Sequence, residues 1–326
     1  MNQTVKPIFL FSLPRSGSTL LQRIIAAHPQ ISTASEPWLL LPMVYALRPE
    51  GAYAEYSHHT MQNALADFIA VLPEGRDGYL RELGRFATRL YQRMIKEGDR
   101  YFLDKTPRYH LIAEDVLAAF PEAKFIFLWR NPLAVVASSL ETFGKGKWRL
   151  YDYRVDFYKG LEMLHAAYMR NRGRVHALTY ERLVSTPVDE LARLFEYLEL
   201  PGDAPDINSF AKVKLSGSAG DPTGTKQYQN LSAEPLHKWK NSLCNPIRRA
   251  WARRYVEWIG RERLADMGYD LDVLREEQSK MPRTYRRLYS DTIRIGYGCV
   301  STLLETHMFT EKLRRLPGWR YIYSHK

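Results

Sequence analysis

Short apolar runs alternate along the chain with longer stretches in which apolar residues recur at helical spacing. The run Pro7-Ile-Phe-Leu-Phe-Ser-Leu13, ended by Pro14, has the length and content of a buried strand. From Ser18 to Ala27, Leu20, Leu21, Ile24 and Ile25 fall on one helical face. Lys124 to Trp129 predicts a second buried strand, followed by the turn Arg130-Asn131-Pro132 and a helix through Leu140, with Pro132 suited to its first turn. Two helices are expected between Asn63 and Lys96, split at Pro73-Glu-Gly75, and another from Leu111 to Phe120. Tyr101–Leu103 and Val175–Thr179 read as strands, Tyr151–Arg170 and Val188–Tyr197 as helices. Strands alternating with helices imply an α/β fold with a parallel sheet flanked by helices.

Beyond residue 200 the pattern changes. Gly202 to Pro235 is rich in Gly, Pro, Ser, Asp and Thr and has no period, as expected of a long functional loop. Ile247 to Leu264 reads as an amphipathic helix with Ile247, Trp251, Tyr255 and Trp258 on one face, and a basic, aromatic, helical extension follows. We expect one domain over residues 1–326, with a core at about 7–265 and an extension at 266–326.

Charge sharpens this picture. The net charge is +11, and from Lys240 onward 18 basic residues face 10 acidic ones, so +8 lies in the last quarter. Such an excess suits an anionic membrane surface, an acidic substrate or nucleic acid. No recognised nucleic-acid motif is present, so a nucleic-acid partner is not expected. Two cysteines, Cys244 and Cys299, make neither a disulfide framework nor a four-cysteine zinc site. No run reads as a signal peptide or a membrane span: the stretch Ile293–Leu304 is broken by Arg294 and two glycines. A cytoplasmic protein, with peripheral membrane contact through the basic extension, is the expectation.

The chemistry concentrates in Leu13-Pro-Arg-Ser-Gly-Ser-Thr-Leu20, where a strand meets a helix. Backbone N–H groups and the positive end of a helix dipole bind phosphate at such a junction. Gly17 allows close approach, Ser16, Ser18 and Thr19 supply hydroxyls, and Arg15 supplies a charged fork. The segment lacks the first glycine and the lysine of a Walker A loop, which disfavours a nucleotide or small-molecule kinase. Arg130 ends a strand at the side where α/β sheets gather ligands, and Ser138 lies about two turns into the next helix.

These segments resemble those of the sulfotransferases that use PAPS (3'-phosphoadenosine 5'-phosphosulfate). Pro14-Arg-Ser-Gly-Ser-Thr-Leu20 is similar to that family's 5'-phosphosulfate loop, and Lys124 to Ser138 to its 3'-phosphate segment, in which an Arg ends the strand and a Ser lies eight positions on. Leu103-Asp-Lys-Thr-Pro107 resembles the catalytic-lysine segment, which implies Lys105 near the bridging oxygen of the donor. Leu178-Thr-Tyr-Glu-Arg-Leu183 resembles the segment whose tyrosine, here Tyr180, approaches the nucleotide. The resemblance covers roughly residues 7 to 200 and, more weakly, 226 to 240. It implies a P-loop-like phosphate-binding architecture, PAPS as donor and PAP as product; no metal is expected, because no His/Cys/Asp cluster has ligand spacing.

The phenol and steroid branch of that family has a catalytic His two residues after the lysine, a place held here by Pro107. Ala27 to Pro37 instead resembles the stretch of tyrosylprotein and carbohydrate sulfotransferases in which a glutamate, here Glu36, acts as base. His110 is the reserve base, and His28 is expected to be structural. Thr223, Thr225 and Lys226 are candidates for a flap over the donor. The acceptor implied is a hydroxyl, first of a saccharide or glycolipid, second of a protein tyrosine.

Overall fold

The two apolar runs become the centre of the sheet because both of their faces are covered. In the computed structural model, residues 5–48, 57–200, 207–213, 215 and 236–303 are described. Five strands, β1 (Lys6–Phe11), β2 (Ile31–Thr33), β3 (Tyr101–Asp104), β4 (Lys124–Trp129) and β5 (His176–Thr179), pair in parallel in the order β2-β3-β1-β4-β5. Strand side chains alternate between faces. Phe9, Phe11, Phe102, Phe125 and Phe127 therefore point to one side, and Ile8, Leu10, Leu103, Ile126 and Leu128 to the other. Each set founds its own core cluster.

Nine helices among the described residues belong to this layer: α1 (Ser18–Ile25), α2 (Leu40–Tyr45), α3 (His58–Ala70), α4 (Gly75–Gln92), α5 (Ala113–Ala119), α6 (Pro132–Gly144), α7 (Leu161–Arg170), α8 (Tyr180–Ser185) and α9 (Pro187–Leu198). The phenylalanine face is covered by Leu80 and Leu83 of α4, Val116 of α5 and Leu161 of α7. The aliphatic face is covered by Leu20, Leu21 and Ile24 of α1 and by Leu191 and Leu194 of α9. Helices α4 and α5 meet so closely that a Cβ at Gly84 would lie 2.0 Å from the Ala119 carbonyl oxygen.

Four more helices follow: α10 (Trp239–Ser242), α11 (Pro246–Asp266), α12 (Leu271–Ser279) and α13 (Leu288–Leu303). The long amphipathic helix expected from Ile247 is present as α11, bent at Gly260, whose φ is 81°. Arg248 of α11 holds Asp291 of α13 through Nε (2.7 Å) and Nη2 (2.9 Å), and Asn245 adds a third bond to the same carboxylate. The extension is thereby fixed in rotation against α11. Among the described residues no helix is long and apolar enough to cross a membrane.

Three local differences from the sequence pattern have physical reasons. Strand β2 has only three residues and is defined by its pairing with β3, which periodicity does not see. Helix α6 runs on to Gly144, past Leu140. The stretch 151–170 is not one α-helix: a 3-10 turn at Leu150–Tyr153 and a π-helical turn at Asp156–Gly160 precede α7. Turns of the π type cluster at functional sites, and this one carries Asp156 to the site described next.

Candidate functional site

Chain order in the sheet reverses beside β1: β2 and β3 lie on one side of it, β4 and β5 on the other. Ligands of open α/β sheets collect at the carboxyl ends of strands near such a point. A cavity of about 280 Å³ lies there, lined by the loop after β1 (Pro14, Arg15, Gly17, Ser18, Thr19), Glu36 and Trp38, Lys105, Pro107 and Arg108, Arg130, Phe143, Tyr153 and Asp156.

The loop is shaped by its glycine. Gly17 has a φ of 91°, and a Cβ there would lie 2.4 Å from the Tyr180 ring, so no other residue fits. Arg15 (φ 69°) and Trp38 (φ 54°) also hold left-handed backbone without being glycine, and both line the cavity. Such conformations persist where the surroundings enforce them, and they gather at functional sites.

Lys105 and Glu36 form the centre of the site. The Lys105 side chain is 2% exposed, and its Nζ donates to Glu36 Oε1 at 2.8 Å, with Thr19 Oγ1 at 3.5 Å. Trp38 Nε1 donates to the other oxygen of Glu36 at 3.3 Å. A lysine buried this deeply needs a charged partner, since an unpaired buried charge is costly.

The Glu36 segment is in turn seated on β3 through Asp104. Its carboxylate accepts from the hydroxyls of Tyr91 (2.6 Å), Tyr109 (3.1 Å) and Thr106 (3.2 Å). Thr106 Oγ1 accepts the Trp38 N–H at 3.2 Å, and the Tyr109 hydroxyl accepts the Leu40 N–H at 3.2 Å. One fully buried carboxylate thus orients two hydroxyls that pin the backbone on the chain just after Glu36. Burial pushes Asp104 up to about 6, against the opposing pull of the hydrogen bonds from Tyr91, Tyr109 and Thr106 and of Lys105.

A second group joins the loop to β4. Arg130 Nη1 donates to the Arg15 carbonyl at 2.9 Å, and its guanidinium stacks on Tyr180, 4.3 Å from the ring centroid. Arg15 Nε reaches Ser138 Oγ at 3.4 Å. Arg15, Arg130 and Ser138 are therefore brought together. Tyr180 is buried behind Gly17 and does not line the cavity, and Ser16 is also buried out of it. Thr223, Thr225 and Lys226 lie outside the described residues.

Sequence reasoning missed Arg108 and Asp156. Arg108 Nη2 donates to Asp156 Oδ2 at 3.1 Å across the cavity wall, beside the stacked rings of Phe143 and Tyr153, 5.0 Å apart. The signal for Arg108 was its place three residues after Lys105; nothing local marked Asp156. His110 does not line the cavity: it is fully buried, its Nδ1 bonds the Pro107 carbonyl at 2.7 Å, its Nε2 lies 3.1 Å from Asp156 Oδ1, and its ring packs where a Cβ of Gly160 would stand. His28 is structural, as expected, and accepts the Gln30 N–H at 3.2 Å.

The cavity therefore presents Arg15, Lys105, Arg108 and Arg130 against Glu36 and Asp156. Two surplus cations beside loop N–H groups suit a multiply charged anion, and a phosphosulfate is one.

A family model described as the sulfotransferase family matches residues 7–205. The nodulation protein NoeE of Sinorhizobium fredii (strain NBRC 101917 / NGR234) is 31% identical over 303 residues, covering 83% of this chain and 68% of its own length. Protein-tyrosine sulfotransferase 1 of Danio rerio is 24% identical over 285 residues, covering 82% and 74%. Among solved structures, a sulfotransferase domain from the curacin biosynthetic pathway superposes with a TM-score of 0.48 at 24% identity, over 72% of this chain and 90% of that one.

Proposed function

The chain belongs to the sulfotransferase family, and we propose that it transfers the sulfuryl group of PAPS to a hydroxyl of a saccharide or glycolipid. The observation that carries this reading is the buried Lys105–Glu36 pair beside the loop after β1. Arg15 and the loop N–H groups receive the 5'-phosphosulfate, and Arg130 with Ser138 receives the 3'-phosphate. PAPS supplies the activated sulfuryl group. Glu36 takes the proton of the acceptor hydroxyl as its oxygen bonds to sulfur, while the bond from sulfur to the bridging oxygen breaks. Lys105 stabilises the charge left on that oxygen, an electrostatic contribution aimed at the transition state.

Aromatic faces support a sugar acceptor. Trp38 is 41% exposed at the cavity, and Phe143 with Tyr153 forms a flat apolar wall. Trp148 and Trp239, by contrast, are core residues. The similarity to a protein-tyrosine sulfotransferase favours a tyrosine acceptor as the second reading. Sulfur-labelled PAPS with a panel of oligosaccharides, glycolipids and tyrosine peptides separates them. Label in a saccharide or glycolipid is expected; label in tyrosine peptides alone would replace the first reading by the second.

Arg130 has two tasks in this reading, holding the loop carbonyl and meeting the 3'-phosphate. Arg130→Ala is expected to weaken PAPS binding by about 1.5–3 kcal/mol, the scale of a hydrogen bond to a charged group. Calorimetric titration should show a smaller loss for the analogue without a 3'-phosphate. Equal losses would leave Arg130 only the loop-holding task.

A further inference from the structure

The face of the extension turned away from the core does not resemble an ordinary solvated helix. Asp291, Ile295 and Gly298 of α13 pack inward, with Asp291 locked to Arg248. That rotation turns Tyr289, Ile293, Tyr297 and Val300 outward along one stripe, and Tyr285 continues it before the helix begins. Tyr285 and Tyr289 are 79% and 82% exposed. Single exposed apolar residues are common, but an aligned row of five is a contiguous patch of the kind that marks an interaction surface.

Next to this stripe, and sharing Tyr285 with it, is a second cavity of about 510 Å³. Arg249, Arg253, Arg275 and Arg283 line it, and among the described residues no aspartate or glutamate does. Among the described residues, Arg275 alone of the four forms an ion pair, with Glu257 and Asp272. Arg249 spends Nη1 on the carbonyls of Met281 and Pro282, which keeps its charge at the cavity. Among the described residues Gln278 Nε2 is buried there with no hydrogen-bond partner, a donor left for an acceptor from outside.

We propose that this face docks the enzyme on an anionic lipid bilayer, with the apolar stripe of α13 in the interface and a lipid phosphate in the arginine cavity. An interfacial helix needs apolar side chains on one side and basic residues beside them, and the attraction grows with the negative charge of the lipid. Both requirements are met within residues 249–300, where 11 basic residues stand against 8 acidic ones and four of the arginines converge on the cavity. The face also adjoins the active site. Arg287 donates to the Lys145 carbonyl just beyond α6, and Tyr297 packs on Tyr151, while Phe143 and Tyr153 of the same segment line the catalytic cavity. Docking there would bring a membrane-borne acceptor close to Glu36.

The test is sedimentation of the full chain with phosphatidylcholine vesicles with and without phosphatidylglycerol. Binding should require phosphatidylglycerol and weaken as salt rises. The pairs Tyr289→Ser with Ile293→Ser, and Arg253→Ala with Arg283→Ala, should each weaken vesicle binding by about tenfold or more. Neither pair should change kcat on a soluble acceptor or the melting temperature. Absence of a phosphatidylglycerol preference at low salt overturns the proposal. So does an arginine pair that leaves vesicle binding intact but abolishes thermal protection by inorganic phosphate, which would mark a site for a free anion.

Discussion

Glu36→Gln is expected to lower kcat by about 10²–10⁴ while leaving the affinity for PAP nearly unchanged, the range by which a positioned base accelerates proton transfer. A hydroxyl is a poor nucleophile until its proton is leaving, so the transition state needs a group to receive it. Glu36 lies in the cavity with one oxygen on Lys105 and the other on the Trp38 indole. Gln retains a carbonyl oxygen to accept from Lys105 Nζ, so the buried ammonium keeps a partner and the fold should persist. Alanine would remove the carboxylate that meets that buried ammonium and would confuse loss of folding with loss of chemistry. Single-turnover rates with saturating PAPS and acceptor, with a thermal melt as control, give the answer. A near wild-type rate would strip Glu36 of the role. His110 does not line the cavity, and Asp156, which does and which faces His110 Nε2 at 3.1 Å, would be the group to mutate next.

How much of this was legible in the sequence follows from how far apart the partners lie along the chain. The anion loop and the Arg130 turn are local: a strand, a tight turn and a helix follow one another within a few residues, so spacing alone exposes them. Glu36 and Lys105 lie 69 positions apart, and only resemblance to a family joined them before the fold did. Arg108 and Asp156 escaped because Asp156 enters the site through a π-helical turn inside what reads as a plain helix. The charge of the extension was plain from composition. Which apolar residues it exposes was not, because that depends on the Arg248–Asp291 contact that sets the rotation of α13. The role of Asp104 was hidden for the same kind of reason. An aspartate at a strand end is unremarkable until three hydroxyls from 91, 106 and 109 converge on it.

Asp104→Asn is expected to reduce kcat by about 10- to 100-fold although Asp104 touches no substrate, because small displacements of a catalytic group are costly. Asp104 is a positioning residue. Ionised, it accepts from Thr106 and Tyr109, which frees their oxygens to hold the backbone N–H groups of Trp38 and Leu40. Asn offers one acceptor fewer and adds donors, so one of those hydroxyls must turn away. The pH dependence carries the distinguishing sign. Burial raises Asp104 to about 6, so its ionised form, and the activity that needs it, should be lost as pH falls through about 6. Stability moves the other way. Between the ordinary aspartate value near 4 and about 6, the folded chain holds a proton that the unfolded chain has released. This group's contribution therefore rises as pH falls through that window, by up to about 3 kcal/mol. An acid limb in kcat near pH 6 without an accompanying fall in melting temperature is the expected signature, and Asp104→Asn should remove that limb. Tyr91→Phe supplies the control, since the Tyr91 hydroxyl also bonds Asp104 but reaches neither Trp38 nor Leu40. Its kcat should stay within a few-fold of wild type, while Thr106→Val and Tyr109→Phe should lose about tenfold or more. If Tyr91→Phe is as damaging as Thr106→Val, Asp104 serves the core alone and the seating of Glu36 has another cause.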